Sequence, residues 1–229
     1  MNYIRYLLIP MLVLPFCGRV QTARESSGGT PVMIAYEDFQ QSYTGIENGV
    51  KFDFYGNDTV ERMSWTKANA RVGFLVLPND KGQVLSAKHQ MFSNVTPQDP
   101  TINAKLGGLD TPHKGNGFNA LARYDSNGDG FITPADPVFS KLRVWFNYSH
   151  DGVYDPITKS GEIKTLPDLG IISIDIDNYT EVDLIDGHGN RILWLSNIDV
   201  APGYEQPSVY DVQFAFTRKN LSNYNEVHR

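Results

Sequence analysis

Short apolar runs separated by turn residues dominate the chain after its first thirty positions. Val32 to Tyr36, Val50 to Phe54, Met63 to Trp65 and Val72 to Leu77 have the length and composition of strands. The sequence Asn79-Asp80-Lys81-Gly82 predicts a turn leading to a further strand over Gln83 to Leu85. Pro97 to Gly117 carries several prolines and glycines and no periodicity, which predicts a long surface loop. Phe118, Leu121 and Ala122 then recur at helical spacing. Pro137 suits a helix start, and Val138, Phe139 and Leu142 would give that second short helix its apolar face. Strands return at Ile171 to Ile176, at Val182 to Ile185 and Ile192 to Leu195 around a hairpin turn at Asp186-Gly187-His188-Gly189-Asn190, and over Val209 to Phe216. This pattern predicts an α+β fold that is mostly β: a β-sandwich-like, sheet-rich domain over residues 31–217, with a helix-loop-helix inserted in it.

Between the two predicted helices lies Asp125-Ser126-Asn127-Gly128-Asp129-Gly130-Phe131-Ile132-Thr133-Pro134-Ala135-Asp136. Hard cations such as Ca²⁺ take six to eight oxygen ligands, and this run offers oxygens at EF-hand spacing. Asp125, Asn127 and Asp129 stand at positions one, three and five, and Gly130 at six permits the sharp turn. Phe131 at seven would give its main-chain carbonyl, Thr133 at nine would act directly or through water, and Asp136 closes the loop at twelve. Aspartate is a methylene shorter than the usual glutamate, so the segment after it must come closer or bind through one oxygen. Ile132 at position eight is apolar, as suits a short β contact. A run of Asp, Asn and Gly can also be a polar turn, but a polar turn does not require helices on both sides.

A second run follows the same logic more thinly. Asn147, Ser149 and Asp151 take positions one, three and five, Gly152 position six, and Val153 would offer its carbonyl. The closing acid, Glu162, comes later than the standard spacing. With fewer carboxylates the pull on Ca²⁺ is weaker. The alternative is a vestigial loop held by hydrogen bonds among Asn, Ser and backbone.

Composition narrows the classes. The chain has 229 residues, 41% hydrophobic, with a formal net charge of −6. That supports a buried core, and the acidic balance argues against a nucleic-acid partner. Arg5 followed by the apolar stretch Tyr6 to Phe16 reads as a signal peptide within residues 1–24, too short to span a bilayer. The chain is therefore expected to be exported, secreted or in the cell envelope, with no transmembrane span in its mature form. Residues 25–30 read as a flexible leader and 218–229 as a polar tail. The single cysteine, Cys17, excludes an internal disulfide and is a candidate lipid anchor, although Leu14-Pro15-Phe16 fits a lipoprotein cleavage site poorly.

Enzymatic signatures are sparse. There is no Gly-x-Ser-x-Gly and no His-Glu-x-x-His. His89, His113, His150, His188 and His228 are scattered through predicted loops. A carbohydrate-active hydrolase with a carboxylate pair is the remaining enzymatic option. Trp65, Trp145 and Trp194 could stack on sugars, but all three lie in apolar runs and read as core.

The segments Gly115 to Trp145 (GNGFNALARYDSNGDGFITPADPVFSKLRVW), Gly161 to Ile176 (GEIKTLPDLGIISIDI), Gly49 to Trp65, Gly73 to Gln98 and DGHGNRILW resemble a bacterial exported EF-hand-like calcium-binding module. That module occurs as small stand-alone secreted proteins and within RTX-associated proteins. The resemblance runs from about Gly45 to Phe216. It implies a β-rich domain ordered by calcium, with no established catalytic activity in the stand-alone members. The sequence names no partner, and a cell-surface polymer, another protein or nothing beyond the envelope all stay open. The chain departs from the pattern in its first half: Tyr55 and Asn57 replace acids after Asp53; Pro78, Gly82 and Ser86 replace Asp or Asn; and Gln90 replaces Glu. These early loops are expected to be scaffolding, with Asp53 and Glu61 too isolated to cage an ion. Some RTX-associated modules of this kind cleave themselves at an Asp-Pro bond when calcium orders the site. Asp136-Pro137, Asp99-Pro100 and Asp155-Pro156 are the candidates here, and a carboxylate that holds an ion is not free to act as the internal nucleophile.

Overall fold

The computed structural model describes residues 29–99 and 115–216. The expected signal peptide, Cys17, the expected polar tail and most of the expected Pro97 to Gly117 loop lie outside the described residues.

Strand β1 (Val32–Ala35) lies at the centre of a seven-stranded antiparallel sheet. On one side stand β4 (Val72–Val76), β6 (Arg143–Trp145) and β7 (Ile163–Thr165). On the other are β12 (Ser208–Gln213), β10 (Arg191–Ser196) and β9 (Thr180–Ile185). All four residues of β1 are buried, because the sheet is covered on both faces. Successive side chains alternate between faces. Val32 and Ile34 join one cluster, Met33 and Ala35 the other.

The first face packs against helix α3 (Gly117–Ala122) and a three-stranded sheet of β5 (Phe131–Ile132), β8 (Ile171–Asp175) and β11 (Ile198–Val200). The second is covered by the hairpin of β2 (Val50–Phe52) and β3 (Glu61–Met63) and by the short helices α1 (Phe39–Ser42) and α2 (Ala87–Gln90). At its centre Trp65 packs on Phe74 with ring centroids 4.5 Å apart, on Phe52 at 5.3 Å and on Trp145 at 5.9 Å. Trp65 and Trp145 are fully buried, and Trp194 is partly buried against Tyr179. The tryptophans are core.

The sheet-rich, mostly β architecture is thus the observed one. Two local expectations are corrected. No strand forms over Gln83 to Leu85, because Asn79 Oδ1 accepts the N–H groups of Lys81 and Gln83 and coils the chain into a turn. The second helix, after Pro137, is a run of turns: Phe139 N donates to Asp136 O, and both Lys141 N and Leu142 N donate to Val138 O. The bonds from Phe139 and Lys141 each span three residues and close turns, and the chain must be extended again by Arg143 to pair with β4 and β7, although Val138, Phe139 and Leu142 are buried as their spacing predicts.

Candidate functional site

Helix α3 delivers the chain into the first acidic loop. Asn116 caps it, accepting from Asn119 N at 2.7 Å. Gly117 N donates to Asp211 Oδ2 at 2.6 Å, which ties α3 to β12. Asp211 is fully buried; burial pushes its carboxyl well above the usual range, against the lowering effect of its Gly117 and Thr30 hydrogen bonds.

Within loop one, Asp125 organises the backbone. Its Oδ1 accepts from Gly128 N at 2.8 Å and its Oδ2 from Gly130 N at 2.9 Å. Gly128 and Gly130 have φ of +71° and +84°, a region that favours glycine. Asn127 Oδ1 accepts from Asp129 N, and Asp129 Oδ1 from Phe131 N. The loop then enters β5, whose Phe131 and Ile132 pair with Asp175 and Ile174 of β8. Ile132 is fully buried, so the β contact expected at position eight forms with a strand rather than with another loop. Asp136 is 2% exposed; its Oδ1 accepts from Ser126 N and Oγ, its Oδ2 from Thr133 N. Burial alone would raise this carboxyl, but the Thr133 and Ser126 hydrogen bonds outweigh it and hold the group below the ordinary range.

Asp125, Asn127, Asp129, Thr133 and Asp136 therefore belong to one hydrogen-bonded turn. Each carboxylate oxygen keeps acceptor capacity beyond its one or two N–H or O–H bonds, so the donor set suits a hard cation. The side chains are nevertheless spread along the turn: among the described residues no group of three His, Cys, Asp or Glu is gathered closely enough to hold a metal. Nor, among the described residues, does any Lys or Arg come within ion-pair distance of the three loop carboxylates.

Loop two repeats the backbone with different chemistry. Positive φ recurs at its fourth and sixth positions, His150 at +54° and Gly152 at +69°. Asn147 Oδ1 accepts from Gly152 N and from the buried Trp65 Nε1, both at 2.8 Å. Its Nδ2 faces inward, toward Ser149 Oγ at 3.2 Å, Asp151 Oδ1 at 3.1 Å and Glu162 Oε2 at 3.4 Å. Glu162 closes the loop as its sequence position suggests, accepting from Ser149 N at 2.7 Å. The Val153 side chain is exposed and its N–H donates to Asp151 Oδ1. Lys159 pairs with Asp151 Oδ2 and donates to Ser149 Oγ at 3.3 Å. Burial would raise the Asp151 carboxyl, but hydrogen bonds from Lys159, Asn147, Val153 and Ser149 bring it down to about 2.

A third turn shares the geometry. Asp53 accepts from Gly56 N and Asp58 N, at its fourth and sixth positions, and both have positive φ. Tyr55 and Asn57 occupy its third and fifth positions. Two residues that shape the loops had no local signal: Trp65, 82 positions before Asn147, and Asp211, 94 positions after Gly117.

Fold and site define a sheet-rich module carrying acidic turns. The chain belongs to the SPM domain family, whose match spans residues 41–215. It is also similar to the iron-regulated protein FrpA of Neisseria meningitidis serogroup C, at 32% identity over 144 residues. That similarity covers 63% of this chain and only 11% of FrpA. Among the described residues no helix is long and apolar enough to cross a membrane.

Proposed function

We propose that the protein is an exported, non-enzymatic calcium-binding module, and that loop one is its ion site. One observation carries this reading: among the described residues, no cationic side chain comes within ion-pair distance of the three carboxylates on this twelve-residue turn, while the neighbouring loop of the same backbone has one. Asp125, Asn127, Asp129, Thr133 and Asp136 would supply side-chain oxygens and Phe131 its carbonyl. A bound Ca²⁺ neutralises carboxylates that otherwise repel one another. The loop runs from α3, which Asp211 ties to the central sheet, into β5, so rigidity gained there reaches the core directly. Binding at extracellular strength, about 10⁻⁴ to 10⁻³ M, would suit export.

The self-cleaving alternative meets a physical obstacle. Internal attack needs the Asp carboxylate free to approach its own carbonyl carbon. At Asp136-Pro137 both oxygens accept hydrogen bonds from Ser126 and Thr133, and at Asp155-Pro156 the carboxylate accepts from Ile157 N and Thr158 N. Pro100 of the third pair lies outside the described residues. A hydrolytic site has little support either. Two clefts among the described residues have volumes of about 250 and 290 Å³, and one acid of the first, Glu205, is paired to Arg71.

The test is a thermal melt of the full chain in millimolar calcium and in EDTA, followed by mass spectrometry. Calcium should raise Tm, Asp125→Ala should abolish the rise, and the chain should stay intact. Superimposable melts would end the calcium reading, and fragments ending at Asp would establish cleavage.

A further inference from the structure

We propose that Lys159 is the resident cation of loop two, so that this loop keeps its shape without a metal. This assignment holds for loop two whatever loop one binds.

Chemistry at the first position decides it. In a loop of this backbone the first side chain must do two things: accept the N–H of the sixth residue and give an oxygen to the centre. Asp125 has two oxygens for these tasks. Asn147 has one, and it is already committed. Trp65 Nε1 and Gly152 N are both donors only, so each demands the amide oxygen. The amide must therefore turn its NH₂ inward, where it donates to Ser149, Asp151 and Glu162. An inward N–H group repels a cation that wants oxygen. Trp65 locks this orientation, since it is fully buried among Phe52, Phe74 and Trp145 and cannot turn its N–H elsewhere without breaking the core.

The acids that remain still need a positive partner. Lys159 meets that need: its ammonium reaches both Asp151 and Ser149, two of the three side chains expected to be ligands at odd positions. The displaced Glu162 explains how it gets there. The segment between Gly152 and Glu162 is longer than a standard loop, and Asp155 folds it into a turn by accepting the N–H groups of Ile157 and Thr158. That turn returns Lys159 over the loop, where Lys159 N bonds to Asp155 O at 3.0 Å. The ammonium supplies three donors and one charge, whereas Ca²⁺ would require six to eight oxygens.

Native mass spectrometry of the full chain in calcium chloride tests the proposal by counting bound ions. Restoring an acid and removing the ammonium, in Asn147→Asp/Lys159→Met, should raise the count by one above that of the parent chain, whether the parent binds one ion or none. Asp151→Asn in the otherwise native chain should leave the parent count unchanged. Lys159→Met alone should lower Tm by about 1–4 °C, equally in calcium and in EDTA, with Lys159→Arg restoring most of the loss. An unchanged count in the double variant, or a count that falls by one in Asp151→Asn, overturns the proposal. The second variant keeps the test decisive should the first not fold.

Discussion

Loop one and loop two have nearly the same backbone and opposite electrostatics. Both bend through positive φ at their fourth and sixth positions, and both bury the acid that closes them. In loop one the first residue is Asp125, which satisfies two backbone N–H groups and retains acceptor capacity. In loop two it is Asn147, whose oxygen is consumed by Trp65 and Gly152. A change of one side-chain atom, oxygen to NH₂, reverses the polarity of the group facing the centre. The Asp53 turn adds a control: an aspartate at the first position shapes this backbone even where the next ligand positions are Tyr55 and Asn57. Turn geometry is therefore the common scaffold, and the identity of the odd-position side chains decides whether a cation has reason to bind.

Trp65→Ala should break the comparison most severely. Removing a buried indole costs about 3–5 kcal/mol, and here it also frees the Asn147 amide. Urea melts should show that loss with and without calcium; a loss seen only with calcium would mean that Trp65 supports an ion in loop two. Next in size is the calcium effect itself. At free calcium about a hundredfold above Kd, binding stabilises by about 2.7 kcal/mol, and Asp125→Ala should remove it while Asp151→Ala should not.

The third prediction concerns the anchor behind loop one. Asp211 has a raised folded value against about 3.9 unfolded, so the native state binds its proton more tightly. Its contribution is present in full below about pH 4 and is lost as pH rises toward the folded value. Stability should fall over that range by up to about 1.4 kcal/mol per pH unit. Asp211→Asn should flatten the slope while still accepting from Gly117, as denaturant midpoints at several pH values would show; a slope that survives the substitution would assign it to another group.

The smallest effect separates backbone from packing. Gly128 and Gly152 share φ near +70°, but an added methyl meets nothing within 4 Å at Gly128 and falls 2.4 Å from Val50 Cγ1 at Gly152. Gly128→Ala should cost about 1 kcal/mol and Gly152→Ala clearly more. Equal costs would mean that Val50 yields freely.

Short apolar runs bounded by turn residues made β1, β2, β4, β9 and β10 legible in the sequence, and alternation made β8 and β12 so. Strands β6, β7 and β11 have three residues each and owe their form to neighbouring strands, which no local pattern records. The candidate ligands of loop one were legible for a different reason: they are contiguous, and their spacing is itself the signal. Asn147, Ser149, Asp151 and Glu162 were found the same way, but their meaning was not. It depends on the indole of Trp65, far back in the chain, and on a lysine carried in by an inserted turn. Asp211 likewise read as one polar residue in a strand, with nothing to connect it to the first N–H of α3.

Calorimetric titration of the full chain with calcium, beside Asp125→Ala, tests the central claim most directly. One binding event should appear in the parent chain and none in the variant. Heat that persists undiminished in Asp125→Ala, or no heat in the parent at millimolar calcium, would contradict it.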